Sequence, residues 1–143
     1  MDWNDLNKAL RSELSAVETY QQALEKEQGS EQEQAFQQLS NFLRDHREAA
    51  SQLESQIQRM GGTPSRDSGA WGTWSKIVMG AAKLFGDKAA LKALKEGEES
   101  GIKEYQELLQ DPTTPTEVKT LITGIVSKEQ THIQELDRLM QTA

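Results

Sequence analysis

Four stretches of this sequence space their apolar residues three and four positions apart, which is the spacing of one stripe along an α-helix. Near the middle of each stretch, a glutamate or a histidine replaces an apolar residue. These residues are Glu13, His46, Glu98 and Glu129 with His132. Because the apolar stripe of a helix faces the protein interior, all of them are expected to be buried. A buried carboxylate must be paired, protonated or bound to a metal ion, so these positions are the strongest functional signal.

The composition predicts an all-α protein. Proline occurs at only three positions, whereas alanine, leucine, glutamate, glutamine and lysine, which favour helices, are abundant. The chain has 143 residues, which is enough for a core of four helices. We therefore expect one domain over residues 1–143.

Charge and cysteine content exclude several classes of function. The net charge of -7 and the isoelectric point near 4.9 argue against nucleic acid and anionic membranes as partners. Cysteine is absent, so neither disulfides nor thiolate metal sites are available. The start of the chain lacks the features of a signal peptide, and no apolar run is long enough to span a bilayer. A cytoplasmic protein is expected.

Capping and turn residues divide the chain into four long helices. Ser30 and Glu33 have the spacing of a capping box before the second helix. Thr114 and Glu117 repeat that spacing before the fourth helix, and Asp87 is the predicted N-cap of the third. The predicted helices are approximately 3–27, 31–60, 87–110 and 116–141.

The connection between the second and third helices is long enough to run the length of a helical bundle. It contains apolar residues at helical spacing, which predict a short helix from about Trp71 to Phe85 that lies across the bundle. The other two connections are short, so the helices they join are expected to be antiparallel neighbours. Four helices with one long crossover have the ferritin-like arrangement, and this is the predicted fold.

An internal repeat relates the two halves of the chain. Glu13 is followed seven positions later by Tyr20, and Glu98 is followed seven positions later by Tyr105. In the second and fourth helices, His46 aligns with Glu129. The repeat predicts two helical hairpins related by a pseudo-twofold axis. The two tyrosines are expected to hydrogen-bond the carboxylates of the site.

The five candidate residues are expected to converge, because each lies near the middle of its helix and the helices have similar lengths. Glu129 and His132 are one turn apart, so a carboxylate and an imidazole can bind one ion from a single helix. Oxygen and nitrogen donors without sulfur favour iron, manganese or zinc, and a carboxylate-rich site favours the first two. The alternative is a metal-free hydrogen-bond network made by the same glutamate, histidine and tyrosine side chains.

Over nearly its whole length the chain resembles a bacterial family of ferritin-like four-helix-bundle proteins of unknown function. The resemblance is carried by the segments 6–20, 53–62 and 97–105 and by Glu129 with His132. More distantly, the chain is similar to the ferritin and rubrerythrin di-iron carboxylate proteins. The resemblance implies one or two iron or manganese ions in the bundle core, with oxygen, peroxide or iron-handling chemistry.

The second helix departs from the di-iron pattern. The Glu-x-x-His pair implied by the resemblance would fall on His46 and Ala49, which leaves three glutamates and two histidines. Asp45 and Glu48 are expected to point away from the stripe. A single or asymmetric metal site is therefore predicted, in an oxidoreductase or iron-handling protein. The alternative is a metal-free structural or stress-associated interaction protein, and a homodimer is the candidate oligomer.

Overall fold

The computed structural model describes residues 1–69 and 72–143, and within them the chain is helical with no strand. The helices are α1 (Trp3–Lys26), α2 (Glu33–Arg59), α3 (Gly72–Gly80), α4 (Lys88–Gln110) and α5 (Thr116–Gln141). The predicted all-α architecture, four long helices and a short helix in the long connection, is confirmed. Trp71, where that short helix was predicted to begin, lies outside the described residues. The single domain over residues 1–143 stays a prediction.

The long connection between α2 and α4 runs from one end of the bundle to the other. Near its start, the side-chain amide of Asn7 in α1 donates a hydrogen bond to the carbonyl of Thr63 (3.0 Å). Near its end, Nζ of Lys26 in the last turn of α1 donates to the carbonyl of Ala81 (3.1 Å). The connection therefore follows α1 along its length, which confirms the predicted crossover.

Each long helix packs against two others. α1 and α2 form one hairpin and α4 and α5 form the other, while α1 also contacts α4 and α2 also contacts α5. α4 ends beside the start of α1, where Asp111 Oδ2 lies 3.1 Å from the amino group of Met1. α1 and α4 are therefore antiparallel. The short helix α3 packs on the outside, against α4 and α1.

The core consists of two apolar clusters with a polar layer between them. Along α1, Glu13 separates Leu10 of one cluster from Ala16 of the other, and along α4, Glu98 separates Leu94 from Ile102. The corresponding positions of α2 and α5 carry histidine and glutamate. Burial of each large apolar side chain contributes about 1.5–3 kcal/mol, so the two clusters hold the polar side chains between them at one level.

Two of the three predicted helix caps are wrong. α2 begins after Gln32, which makes no side-chain capping bond, and the Ser30 hydroxyl accepts a hydrogen bond from the Gln32 amide in the preceding turn. The Thr114 hydroxyl donates to the carbonyl of Leu108 at the end of α4 instead of capping α5. Asp87 does cap α4. In both failures the hydroxyl bonds a different backbone group, the amide of Gln32 for Ser30 and the carbonyl of Leu108 for Thr114.

Candidate metal centre

The structure brings all seven predicted site residues together in the polar layer. Each of them is at most 3% exposed. They are Glu13 and Tyr20 of α1, His46 of α2, Glu98 and Tyr105 of α4, and Glu129 and His132 of α5. The geometric part of the sequence prediction, convergence at one level, therefore agrees with the structure. Their role as metal ligands stays a prediction.

Glu98 lies between the two imidazoles. Nε2 of His46 is 2.5 Å from Oε1 of Glu98. Nδ1 of His132 is 3.2 Å from Oε1 and 3.3 Å from Oε2 of the same carboxylate. Since α2, α4 and α5 supply one residue each, this group forms only when the two hairpins are packed together.

The second nitrogen of each imidazole has its own carboxylate. Nδ1 of His46 is 2.7 Å from Oε2 of Glu13, and Nε2 of His132 is 2.8 Å from Oδ2 of Asp45. Carboxylates and imidazoles therefore alternate along a continuous chain of five groups. Every ring nitrogen in this chain is within hydrogen-bond distance of a carboxylate oxygen.

Asp45 is the site residue that the sequence prediction missed. It was expected to point away from the stripe of α2, but its side chain is only 19% exposed and contacts His132 across the boundary between α2 and α5. Glu48 does point outwards, where it pairs with Lys128 of α5 (3.3 Å). One signal in the sequence could have found Asp45. A buried imidazole needs a hydrogen-bond partner for each of its two ring nitrogens. A carboxylate next to the stripe of one helix can reach an imidazole on the neighbouring helix.

The two tyrosines bond across the pseudo-twofold repeat. The Tyr20 hydroxyl donates to Oε1 of Glu98 (2.8 Å), and the Tyr105 hydroxyl donates to Oε1 of Glu13 (2.9 Å). Each tyrosine thus contacts the glutamate of the other repeat. These are the hydrogen bonds expected from the repeat, and the role of the two tyrosines beside metal ligands stays a prediction.

His46 and its neighbouring glutamates shift one another's pKa values. Burial opposes the charged form of His46, but the carboxylates of Glu98 and Glu13 raise its pKa well above the usual value. Burial would raise the pKa of Glu98, but the charge of His46 and hydrogen bonds from His132 and His46 lower it to about 2. His46 is therefore the internal cation that balances the buried carboxylates.

The pKa of Glu129 is shifted in the opposite direction to that of Glu98. Burial and the nearby Glu13 carboxylate raise the pKa of Glu129 well above its ordinary value, which favours the protonated form. Its Oε1 atom and Oε1 of Glu104 are buried without a hydrogen-bond partner in the described part of the chain. Both residues line a cavity of about 10 Å³ between α1 and α4, which is about the volume that one water requires.

Among the residues that the structure describes, two sets of side chains have donor atoms close enough together for one metal ion. The first set is His46, Glu98 and His132, and the second is Glu13, His46 and Glu129. All five residues are buried, and their donors are carboxylate oxygens and imidazole nitrogens, which suit iron and manganese. The residues therefore fit a metal ion, and His46 belongs to both sets.

The fold and this buried layer define a ferritin-like four-helix bundle. A model of the family described as a domain of unknown function (DUF2383) matches residues 2–111, more than half of the chain. The chain belongs to this family, and the predicted membership in a ferritin-like family of unknown function is confirmed. The matched region includes α1 to α4 and ends before α5, which carries Glu129 and His132. No curated protein matches the chain.

Two solved structures are similar to this fold. A ferritin-like, di-iron carboxylate protein from Bacillus anthracis str. Ames has a TM-score of 0.80 and 22% identity, covering 96% of this chain and 94% of that one. The bacterioferritin of Rhodobacter capsulatus, described with a metal-free dinuclear site and haem iron, has a TM-score of 0.78 and 17% identity. It covers 99% of this chain and 88% of that one. At these identities the likeness shows the fold.

In the described residues, none of the helices combines the length and the apolar character needed to cross a membrane. The cytoplasmic location and the homodimer stay predictions.

Proposed function

We propose that this protein binds one metal ion, iron(II) or manganese(II), in its core through His46, Glu98 and His132. The observation that carries the proposal is the orientation of the two imidazoles. Each directs one nitrogen to Glu98, and each has its other nitrogen next to a separate carboxylate. An ion would take the place of the hydrogen bonds between Glu98 and the two rings.

The surrounding carboxylates support this choice of ligands. A histidine that binds a metal commonly donates its other ring N–H to a carboxylate, which fixes the ring and makes it a better ligand. Glu13 is placed to do this for His46, and Asp45 for His132. Two histidines and one carboxylate form the ligand set of many non-haem iron(II) sites, and a bound iron would supply oxygen or peroxide chemistry.

The shared histidine favours one ion instead of two. A neutral imidazole binds a metal through one nitrogen while the other nitrogen keeps its proton. Filling both donor sets at once would require His46 to lose both ring protons. Glu129 also favours its protonated form, which weakens the second set. Glu13 and Glu129, predicted as ligands from the sequence, are in this proposal partners that surround the ligands.

A second candidate function is supported by the completeness of the hydrogen bonds. All four ring nitrogens already face carboxylate oxygens, and charged His46 offsets the buried negative charge. In this alternative the polar layer fixes the register of the helices, and the protein is a structural or stress-associated interaction protein.

Metal titration of the chelator-treated protein, with a matched set of variants, tests the proposal. Anaerobic addition of Mn(II), followed by the loss of the free-ion electron paramagnetic resonance signal, should give one ion per chain. Bound metal should also raise the melting temperature, since an ion at about 100 times its Kd stabilises the folded state by about 2.7 kcal/mol. Glu98→Gln should abolish both effects, whereas Glu129→Gln should retain them.

A further pair of variants tests the carboxylate of Asp45, which lies beside His132. Asp45→Asn should weaken metal binding about 10- to 100-fold, whereas Glu48→Gln, on the outer face of the same helix, should leave the affinity unchanged. Loss of binding in Glu129→Gln, with binding retained in Glu98→Gln, would move the site to the other donor set. Equal loss in the two variants would mean one site that uses both carboxylates. Failure of the wild type to bind Mn(II) or Fe(II) would favour the metal-free alternative.

A further inference from the structure

A cavity of about 190 Å³ lies between α2 and α5, next to the candidate metal centre. Its mouth is formed by polar residues that include Gln52 and Lys128. Its floor is formed by His46, Glu129 and His132. The cavity therefore joins the protein surface to both imidazoles of the site.

Small residues on the facing helices leave this space open. Ala49 of α2 and Gly124 of α5 line the cavity. A glycine inside a helix costs about 0.5–1 kcal/mol relative to alanine. Neither packing nor backbone conformation requires glycine at this position, because a Cβ atom added to Gly124 would meet nothing within 4 Å. The effect of Gly124 is to keep the cavity wide.

The walls and the floor differ in chemistry. Ala49, Leu121 and Ile125 make the walls apolar, while two imidazoles and a carboxyl group lie at the floor. Small-molecule sites usually combine apolar walls with a few polar groups that orient the ligand. An engineered apolar cavity of about 150 Å³ binds benzene, so this cavity has room for one aromatic ring.

The charge around the floor selects against anions. Asp45 lines the cavity, and the carboxylate of Glu98 lies directly behind the two imidazoles. The carboxylates of Glu13, Glu98 and Asp45 outnumber the charged imidazole of His46. Lys128 at the mouth pairs with Glu48 (3.3 Å), so a carboxylate or phosphate ligand would be repelled. A neutral molecule with one hydroxyl group would not be repelled, and its O–H group could donate to the carboxylate of Asp45, which can accept more than one hydrogen bond.

We propose that this cavity binds a neutral, single-ring aromatic molecule of the phenol class, with its ring between Ala49 and Gly124 and its hydroxyl group at Asp45, beside His132. Binding of the ring depends on the cavity alone. The further role of such a molecule as a substrate beside the metal rests on the proposed function.

Phenol itself is the probe for this site. Titration of the metal-free protein, followed by two-dimensional ¹H–¹⁵N NMR, should shift the signals of residues around Ala49 and Gly124, and benzoate should bind more weakly than phenol. Gly124→Leu and Ala49→Leu fill the cavity from opposite walls, so either should weaken phenol binding about tenfold or more. Gln130→Leu, an exposed position of α5 outside the cavity, is the matched control and should bind phenol like the wild type.

The outcomes of these experiments distinguish the proposed phenol site from the proposed metal site. Phenol binding that is lost in the filled variants supports the cavity site, even if the wild type binds no metal. In Mn(II)-loaded protein, a change in the bound-ion resonance signal on adding phenol supports a ligand next to the metal. Absence of phenol binding to the wild type would overturn the proposal. Equal binding to the wild type and to a folded filled variant would overturn it as well.

Discussion

At the scale of single residues, each imidazole of the centre is held by an aromatic ring as well as by two carboxylates. His46 stacks on Tyr20 with ring centroids 5.4 Å apart, and His132 stacks on Phe42 at 4.2 Å. Because stacking and hydrogen bonding fix both the plane and the rotation of a ring, neither imidazole needs to reorient to bind an ion. This preorganisation lowers the entropic cost of binding.

The charge of His46 predicts a pH-dependent stability of the metal-free protein. Burial opposes that charge, but Glu98 and Glu13 raise the pKa of His46 well above its unfolded value of 6.5. The resulting stabilisation is complete below that value and is lost as the pH rises through the raised pKa. The lowered pKa of Glu98, about 2, contributes stability above 4.5 that is lost as the pH falls through about 2.

Urea unfolding with a chelator present measures this effect. The free energy of unfolding of the wild type should exceed that of His46→Asn by more at about pH 6 than at about pH 10. Comparison with His46→Asn cancels the titration of groups that the two proteins share. A difference that does not change with pH would mean that His46 is uncharged in the folded protein.

At the scale of helices, the sequence predicted the elements and the level of the site, but not every partner. The stripe pattern located Glu13 and His132, because helical periodicity depends only on local spacing. Asp45 was missed, because its contact with His132 depends on how α2 is rotated against α5. The cap at Ser30 was wrong, because its hydroxyl had a competing backbone partner in the turn. These features depend on three-dimensional packing that periodicity does not contain.

The start of the crossover contains a glycine whose substitution has a predictable cost. α2 ends at Arg59, and the chain turns at Gly61, which has a φ of 81° and is followed by Gly62. A Cβ atom on Gly62 would overlap the ring of Trp3 in α1. Gly62→Ala should therefore destabilise the protein by about 1–3 kcal/mol, the usual cost of overpacking.

Gly124→Ala is the matched control for this prediction. The new Cβ atom would meet nothing within 4 Å, and alanine is the better helix former, so this variant should be more stable by about 0.5–1 kcal/mol. Chemical denaturation of both variants gives the two differences. Similar stability of the two variants would contradict the close approach of Gly62 and Trp3.

At the scale of the whole molecule, the site residues of the two hairpins match except at two pairs of positions, His46 with Glu129 and Ala49 with His132. The crossed contacts of Tyr20 with Glu98 and of Tyr105 with Glu13 follow the pseudo-twofold repeat. His46 breaks it, because it aligns with Glu129 of the other hairpin. A site with one carboxylate at each of the four helices would be symmetric, and the histidine converts it into one with an internal cation. This asymmetry accounts for a single proposed ion.

Restoring the symmetry should increase the number of ions bound. In the double variant His46→Glu, Ala49→His, the new glutamate occupies the position between Glu13 and Glu98, and the new histidine enters the cavity of about 190 Å³ that Ala49 lines. Four carboxylates balance the charge of two divalent ions, whereas the three glutamates of the wild type leave one positive charge. Anaerobic Fe(II) titration should therefore give a stoichiometry that rises toward two per chain, and oxygen should oxidise the bound Fe(II) faster than in the wild type.

The metal-free form of this double variant should be less stable than the metal-free wild type. It loses the cation at position 46 and gains a fourth buried carboxylate, so repulsion among the carboxylates should lower its melting temperature below that of the metal-free wild type. Added Fe(II) should then raise the melting temperature more in the double variant than in the wild type, since binding relieves that repulsion. Ala49→His alone, which adds an imidazole and keeps His46, should stay at one ion. If a folded double variant also stays at one ion, the four helix midpoints do not form a dinuclear site, and the metal-free hydrogen-bond network becomes the better account of the polar layer.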